Sequence, residues 1–388
     1  MADDPERRVR VASALSAAGR DAVICVSPTD VLLLTGYWPV MGASVAILTR
    51  NGDVCVIVPE DEAELASNTS SARLIPYKPA RLDELISPVE ALLRPLTMAL
   101  ESMQLMRGTA GVESREQMQP ASYAVSHKLN GSLVELLSTI APGLQLVNWS
   151  GPLERLKARK TPIELDLIRR SARIGSSGFD KAPECIRPGM RENDVAADLQ
   201  HGFETSNHAE QAHRFYGFFY CMSGPNSAQA SGAYACTRQR IIRDGDLVLI
   251  HANTCADGYW TDITRTFVAG EESEKQNMMR VAINEARGAA LHSIHHGARA
   301  SDVDAAARTV MEQHGMGKAF RHSTGHGVGF AAANPNGLPR IHPKSPDILE
   351  EGMTFNIEPA AYFDGYGGMR HCDVVAVTGT GADVLTEF

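Results

Sequence analysis

No run of apolar residues in this chain of 388 approaches the roughly 20 that a membrane-spanning helix needs. Lysine and arginine form no consecutive run longer than two residues. With 37 of them against 46 Asp and Glu, the net charge is −9. A net acidic chain without a basic cluster repels phosphate backbones, which argues against nucleic acid as a partner. Seven cysteines, an odd number with no CxxC pair, point to reduced thiols rather than a disulfide framework. The opening Met1 to Arg10 is charged and lacks the apolar centre of a signal peptide, so the expected location is the cytoplasm. What is present is ordinary globular composition, 44% hydrophobic and 21% charged, with 33 Gly and 20 Pro. At about 150 residues per domain, this length suggests two to three domains and at least two cores.

Residues 1–150 read as an α/β domain. Asp21 to Val26 is an apolar run ended by Ser27-Pro28, and Val31 to Leu34 is another. Ala43 to Leu48 and Val54 to Val58 flank Asn51-Gly52, a pair suited to a tight hairpin. Helical spacing runs from Leu82 to Leu100 and from Gln117 to Ile140. A second domain, residues 151–388, opens near Gly151-Pro152. Thr161-Pro162-Ile163-Glu164 is a helix start, with a capping hydroxyl, a proline for the first turn and Glu164 to close a capping box. Long helices then alternate with strands such as Leu247 to Ile250 and Met353 to Ile357.

A repeat lies inside this second domain. Gly189 to Ala197 and Gly297 to Ala305 share the pattern G-x-R-x-[N/S]-D-V-x-A. In each copy a helix ends at glycine, and Asn193 or Ser301 is expected to cap the next one. Two copies at this spacing make a duplicated domain rather than a solenoid. The site of such a domain belongs in the cleft between its halves.

Four segments carry polar residues at the ends of apolar strands: His251 to Thr266, His322 to Gly329, Asn356 to Pro359 and Gly365 to Asp373. Any one is explained by a strand meeting water, but four converging on one sheet point to chemistry. His292 and His296, four apart, read instead as solvated residues at a helix end. Gly365 to Gly368 reads as a hairpin turn, and Phe215 to Tyr220 as a core strand whose aromatics can line a pocket.

The ordered set Asp257-Gly-Tyr-Trp-Thr-Asp262-Ile-Thr-Arg265-Thr, His322-Ser-Thr-Gly-His326-Gly-Val-Gly, Asn356-Ile-Glu358-Pro359 and Met369-Arg370-His-Cys372-Asp373 resembles the pita-bread family of creatinase, Xaa-Pro aminopeptidase, prolidase and methionine aminopeptidase. The resemblance covers most of the chain. It implies a creatinase-type N-terminal α/β domain, a C-terminal pita-bread α+β domain with an internal pseudo-twofold, and a homodimer. It also implies two divalent ions held by Asp, Asp, His, Glu and Glu. The second Asp falls on Asp262, the His on His326 and the first Glu on Glu358. The first Asp, eleven residues before Asp262, is His251 here, and the last Glu is Cys372. The proton-shuttling His of the family aligns near Ala233-Tyr234, and a second one falls on Ala333, whereas His322 and Arg370 are kept.

Two carboxylates in place of four leave a pair of divalent ions under-neutralised, so a dinuclear centre is not expected. Either no metal binds, or one divalent ion (zinc, iron or manganese) sits on Asp262, His326 and Glu358, with His251 and Cys372 as further donors. The expected function is a creatinase-like hydrolase, nearest to the non-peptidase branch. It would split a C–N bond in a small cationic or zwitterionic molecule without metal or with one. Asp262, Tyr234 and Cys372 would contact substrate, and His251, His322, His326, Glu358 and Arg370 would carry the chemistry. The alternatives are a metal-dependent Xaa-Pro aminopeptidase or dipeptidase with altered ligands, and a non-catalytic binding protein.

Overall fold

A computed structural model describes residues 4–80, 82–113, 130–206, 212–232, 236–333, 337–386 and 388, and the chain divides into two units, Met1–Lys157 and Ala158–Phe388. Tyr234 and most of the predicted Gln117–Ile140 helix lie outside the described residues.

The first unit runs α1 (Pro5–Ala17), β1 (Ala22–Cys25), α2 (Pro28–Thr35), β2 (Val45–Thr49), β3 (Val54–Pro59), α3 (Ala63–Thr69), β4 (Arg73–Tyr77), α4 (Pro88–Ser102), β5 (Arg107–Val112), α5 (Asn130–Ile140), β6 (Gly143–Asn148) and α6 (Ser150–Ala158). Its six-stranded sheet has the order β4-β3-β2-β1-β5-β6. The β2–β3 hairpin turns on Asn51-Gly52, where Gly52 has φ +86°. The run Val31 to Leu34 is helical, not extended. Pro28 starts α2, and Gly36, at φ +79°, closes it by donating to the Leu32 carbonyl. Helix α4 begins only at Pro88, because Ser87 and Glu90 form a capping box there, and Leu82 and Leu85 before it are exposed.

The second unit continues with α7 (Pro162–Phe179), α8 (Ala182–Cys185), α9 (Glu192–Thr205), β7 (Phe215–Ser223), β8 (Leu247–Ala256), β9 (Tyr259–Val268), α10 (Glu274–His292), α11 (Ala300–Gln313), β10 (Thr354–Ile357), β11 (Ala360–Phe363), β12 (Gly367–Arg370), β13 (Asp373–Val377) and β14 (Ala382–Val384). The capping box of Thr161 and Glu164 is formed at the start of α7. Antiparallel sheets β7-β8-β9 and β10-β13-β14 are joined by a bridge between Thr264 and Cys372. The β11–β12 hairpin turns at Gly365, φ +74°.

The repeat has a structural counterpart in matched hydrogen bonds. Gly189 donates to Ile242 at 2.9 Å, as Gly297 does to Leu349 at 2.8 Å. Glu192 donates to Arg240 and Ala300 to Asp347, both at 3.0 Å. Gly245 donates to Ala269, as Gly352 does to Val377. Two halves wired alike form one pseudo-twofold domain. Asn193 and Ser301 do not cap their helices, however. Arg191 and Arg299 hold the N-cap positions, since each is drawn into extended backbone by a bridge to Ile241 or Ile348.

Two cores follow from strand alternation. Val248 and Ile250 of β8 face a core with Ile174, Leu199 and Phe203. Leu247 and Leu249 face the other core, with Met279, Ile283, Met311, Phe355 and Val375. His251 follows Leu247 and Leu249 on that face, and the strand runs on past it to Ala256.

Candidate active site

Cross-strand register assembles the first wall of the cleft. His251 on β8 pairs with Thr264 on β9, and Asn253 pairs with Asp262. The imidazole Nδ1 of His251 therefore lies 3.1 Å from the Thr264 hydroxyl and 3.4 Å from Asp262 Oδ1. Arg370, at the end of β12, reaches the same group. Its Nε donates to Thr264 Oγ1 at 3.0 Å and its Nη2 to His251 Nδ1 at 3.0 Å. Guanidinium only donates, so Nδ1 is the acceptor and the proton of His251 sits on Nε2. Burial pushes the His251 pKa down to about 4 and Arg370 adds to the fall, against the pull of Asp262. The ring stacks on Tyr220 with an interplanar angle of 24°.

The opposite wall is β10 and the segment beside it. Asn356 accepts from the His326 amide at 2.7 Å through Oδ1, and its own amide donates to the His326 carbonyl at 3.0 Å. The close approach requires glycine at 325, since a Cβ there would lie 1.8 Å from the Asn356 carbonyl oxygen. His326 Nδ1 donates to the Gly327 carbonyl at 3.3 Å, which leaves the Nε2 lone pair facing the carboxylates. Nε2 is 3.6 Å from Asp262 Oδ2 and 4.0 Å from Glu358 Oε1. Asn356 Nδ2 has two hydrogens for three acceptors, Asp262 Oδ2 (3.2 Å), His326 Nε2 (3.3 Å) and Cys372 Sγ (3.6 Å).

His322 stands beside this group. Its Nδ1 donates to the Ser323 carbonyl at 2.8 Å, so Nε2 accepts from the Tyr362 hydroxyl at 3.0 Å. Burial lowers its pKa, partly offset by Glu358. Asp304 on α11 holds the segment in place. It accepts from the Thr324 amide and hydroxyl and pairs with Arg308, which in turn donates to the His322 carbonyl at 3.0 Å. On the other side, buried Glu192 binds Ser223 and Asn226, which fixes the turn carrying Ala230. The Ala230 carbonyl accepts from Arg370 Nη1 at 3.4 Å, and Glu358 Oε2 lies 3.7 Å from the same nitrogen.

Cys372 is fully buried beside Asp262. Its thiol donates to the Asp262 carbonyl at 3.2 Å. Burial, Asp262 and Glu358 push its pKa up, so it stays a thiol. His292 is at a helix end with Nδ1 toward the Gly288 carbonyl. Thr264, Asn356 and Tyr362 belong to the site but were not singled out from sequence. The first two lie inside the ordered motifs, whereas nothing in the sequence marks Tyr362.

The structure thus brings together His251, Asp262, His322, His326, Glu358 and Arg370. Two carboxylates flanking an imidazole whose Nε2 lone pair meets only a neutral, shared amide are the oxygen and nitrogen donors that zinc or manganese takes. Asp262, His326 and Glu358 therefore fit a divalent ion by donor type and by the position of Nε2 between the carboxylates. They are looser than Cys25, Asp30 and Glu113 in the first unit. That is the group among the described residues whose ligand atoms all lie within 4.8 Å of one another. There Lys157, 2.8 Å from Asp30, already supplies a positive charge.

Residues 166–379 match the model of metallopeptidase family M24, and residues 7–157 match the creatinase/prolidase N-terminal domain. The chain belongs to metallopeptidase family M24. An Xaa-Pro dipeptidase of Pyrococcus furiosus is 29% identical over 95% of this M24 chain and 93% of its own length. A probable dipeptidase of Mycobacterium tuberculosis, PepE, is 35% identical over 59% of each chain. The crystal structure of the prolidase from Pyrococcus horikoshii superposes with a TM-score of 0.76 at 25% identity, covering 98% of both chains.

These similarities correct the functional expectation. The creatinase-like, non-peptidase branch is not where this M24 chain falls, because the two proteins it matches along nearly the whole length are named as an Xaa-Pro dipeptidase and a prolidase. His251 and Cys372 are local changes within a chain similar to an Xaa-Pro dipeptidase over 95% of its length. What the match shows is membership of a metallopeptidase family over residues 166–379.

Proposed function

We propose that this protein is a metal-dependent dipeptidase that hydrolyses Xaa-Pro dipeptides, with Asp262, His326 and Glu358 as the metal ligands. The observation that carries the reading is the His326 lone pair set between two carboxylates, in a chain similar to an Xaa-Pro dipeptidase across both domains. A divalent ion, when bound, polarises the scissile carbonyl and lowers the pKa of water.

The chain's own groups do the rest. Tyr362 Oη holds a proton that His322 Nε2 accepts, a short path for moving a proton beside Glu358. Arg370 fixes the orientation of His251 and presents positive charge to an oxygen of the substrate. Asn356 and Asp304 keep the His326 and His322 segments in register. We also propose a homodimer acting in the cytoplasm. Seven free cysteines, six of them buried, suit a reducing compartment. Among the described residues no helix is long and apolar enough to cross a membrane.

The test is turnover of Xaa-Pro dipeptides, and of dipeptides without proline, by protein stripped with a chelator and then supplied with manganese, zinc or cobalt. Activity lost on chelation and restored by an ion supports the reading. No hydrolysis of any dipeptide by the reloaded, folded protein overturns it.

A further inference from the structure

The ligand set implied by the family resemblance has two ions among five side chains, and two of those positions are His251 and Cys372 here. We infer that the cleft takes one divalent ion, and that the Arg370 guanidinium, locked to His251, supplies the positive charge in the second ion's place. The inference rests on the dipeptidase reading for the presence of a metal, and goes beyond it in number of ions and in the role of Arg370.

Three observations carry it. The edge of His251 nearest the ligand carboxylate Asp262 is Nδ1, and that lone pair already accepts from Arg370 Nη2 at 3.0 Å. An ion and a guanidinium cannot share one lone pair, and their like charges repel. His326 differs in kind, since its neighbour is a neutral amide with an acceptor to spare, and two carboxylates flank it. The second observation is Cys372. It has no exposed surface, and its hydrogen is committed to the Asp262 carbonyl at 3.2 Å. The third is charge. Asp262 and Glu358 contribute −2 and Arg370 +1, so one divalent ion leaves the cleft at +1, whereas two leave it at +3 with no further carboxylate among these residues to offset it.

Arg370 is built to stay. Its Nε is held by Thr264, Nη1 by the Ala230 carbonyl and Nη2 by His251, with Glu358 Oε2 3.7 Å away. A fixed guanidinium offers planar, paired donors to an anionic or carbonyl oxygen. The substrate class it fits is a short peptide whose carboxylate or scissile carbonyl oxygen meets Arg370 rather than a second metal.

The experiment is metal counting. Manganese is titrated into chelator-treated protein by calorimetry, elemental analysis is run after gel filtration, and the electron paramagnetic resonance signal of the complex is recorded. One ion per chain with an uncoupled manganese signal is expected. The variant His251→Asp/Cys372→Glu, checked for fold by circular dichroism, is expected to take up a second ion and show spin coupling. Two ions in the wild-type chain overturn the inference and leave the dipeptidase reading standing. One ion without dipeptide turnover supports the inference and sinks that reading. No ion overturns both. A folded double variant that still binds one ion overturns the roles given to His251 and Cys372. If that variant does not fold, the wild-type count decides.

Discussion

His251 and Glu358 hold equivalent positions in the two halves of the duplicated domain. Each stands six residues after a left-handed glycine, Gly245 at φ +77° and Gly352 at φ +85°, and each glycine amide donates to the matching residue of the following strand pair, Ala269 or Val377. The duplication thus sets two side chains into one cleft, and in this chain only the second is a carboxylate. The site is lopsided in charge, with His326 between Glu358 and Asp262 and a neutral His251 imidazole on the other side of Asp262.

That asymmetry puts the functional weight on Glu358 and His326. Glu358→Gln and His326→Ala are each expected to reduce dipeptide turnover by at least about a hundredfold. Because both side chains are assigned as ligands, each variant is also expected to lose bound metal. Steady-state kinetics and metal content on the same samples check this. Wild-type rates with a full complement of metal in either variant would falsify the placement.

Backbone geometry makes a sharper case at Gly325. A methyl group there would sit 1.8 Å from the Asn356 carbonyl oxygen and 3.0 Å from its side-chain oxygen, and a backbone atom cannot rotate out of the way. Gly325→Ala must displace the segment carrying His326. Overpacking of this kind costs about 1–3 kcal/mol. The expected result is a lowered melting temperature, together with metal binding weakened by about tenfold or more as Nε2 leaves its place between the carboxylates. Unchanged metal affinity in the folded variant would show that Gly325 does not set the position of His326.

Much of this architecture is legible in the residues alone. The capping box at Thr161, the Asn51-Gly52 hairpin and the repeated G-x-R-x-[N/S]-D-V-x-A are local patterns, and local patterns survive into the structure. The helix caps at Arg191 and Arg299 are not legible, because they arise from bridges to residues some fifty positions away, Ile241 and Ile348. The same holds for the site. Asp262, His326 and Glu358 sit in ordered motifs. The contact that decides the state of His251 comes from Arg370, 119 residues on. Val31 to Leu34 illustrates the opposite limit. A short apolar run suits a buried strand or a buried helix equally, and only Pro28 and Gly36 at its ends decide for the helix.

The first unit carries its own pH dependence. Glu113, just after β5, accepts from the Val26 and Ser27 amides, with Cys25, Asp30 and Lys157 around it. Burial and the adjacent Asp30 push its pKa up to about 8, and burial raises Asp30 as well. Below about pH 4 the folded and unfolded chains both keep the Glu113 proton. As pH rises from there, the unfolded chain releases it and the folded chain does not, so stability falls until about pH 8, where the slope ends. Glu113→Gln keeps a neutral group in place and is expected to flatten this fall. Urea midpoints for both proteins at about pH 5 and about pH 9 measure the difference. Identical pH slopes would show that Glu113 ionises alike in both states.

Asp373 behaves in the opposite sense. It has almost no exposed surface. It accepts from Arg265 at 2.8 Å, Arg287 at 2.6 Å, His371 at 3.0 Å and the Thr386 hydroxyl at 3.0 Å. Burial disfavours its charge, but the His371 hydrogen bond and the two guanidinium groups win and hold its carboxyl well below the usual carboxylate range. A depressed acid contributes stability that is fully present above the unfolded value near 4 and is lost as pH falls toward the folded one. Asp373→Ala leaves Arg265 and Arg287 facing each other without their shared acceptor. Removing one partner of a buried pair costs about 3–5 kcal/mol, so a lower urea midpoint at neutral pH is expected. Asp373→Asn keeps the shape and loses the charge, and should fall between wild type and Asp373→Ala. It should also lose the acid-side slope of stability. If Asp373→Asn matches wild type at neutral pH, the carboxylate acts through its shape and hydrogen bonds, and the two arginines do not need its charge.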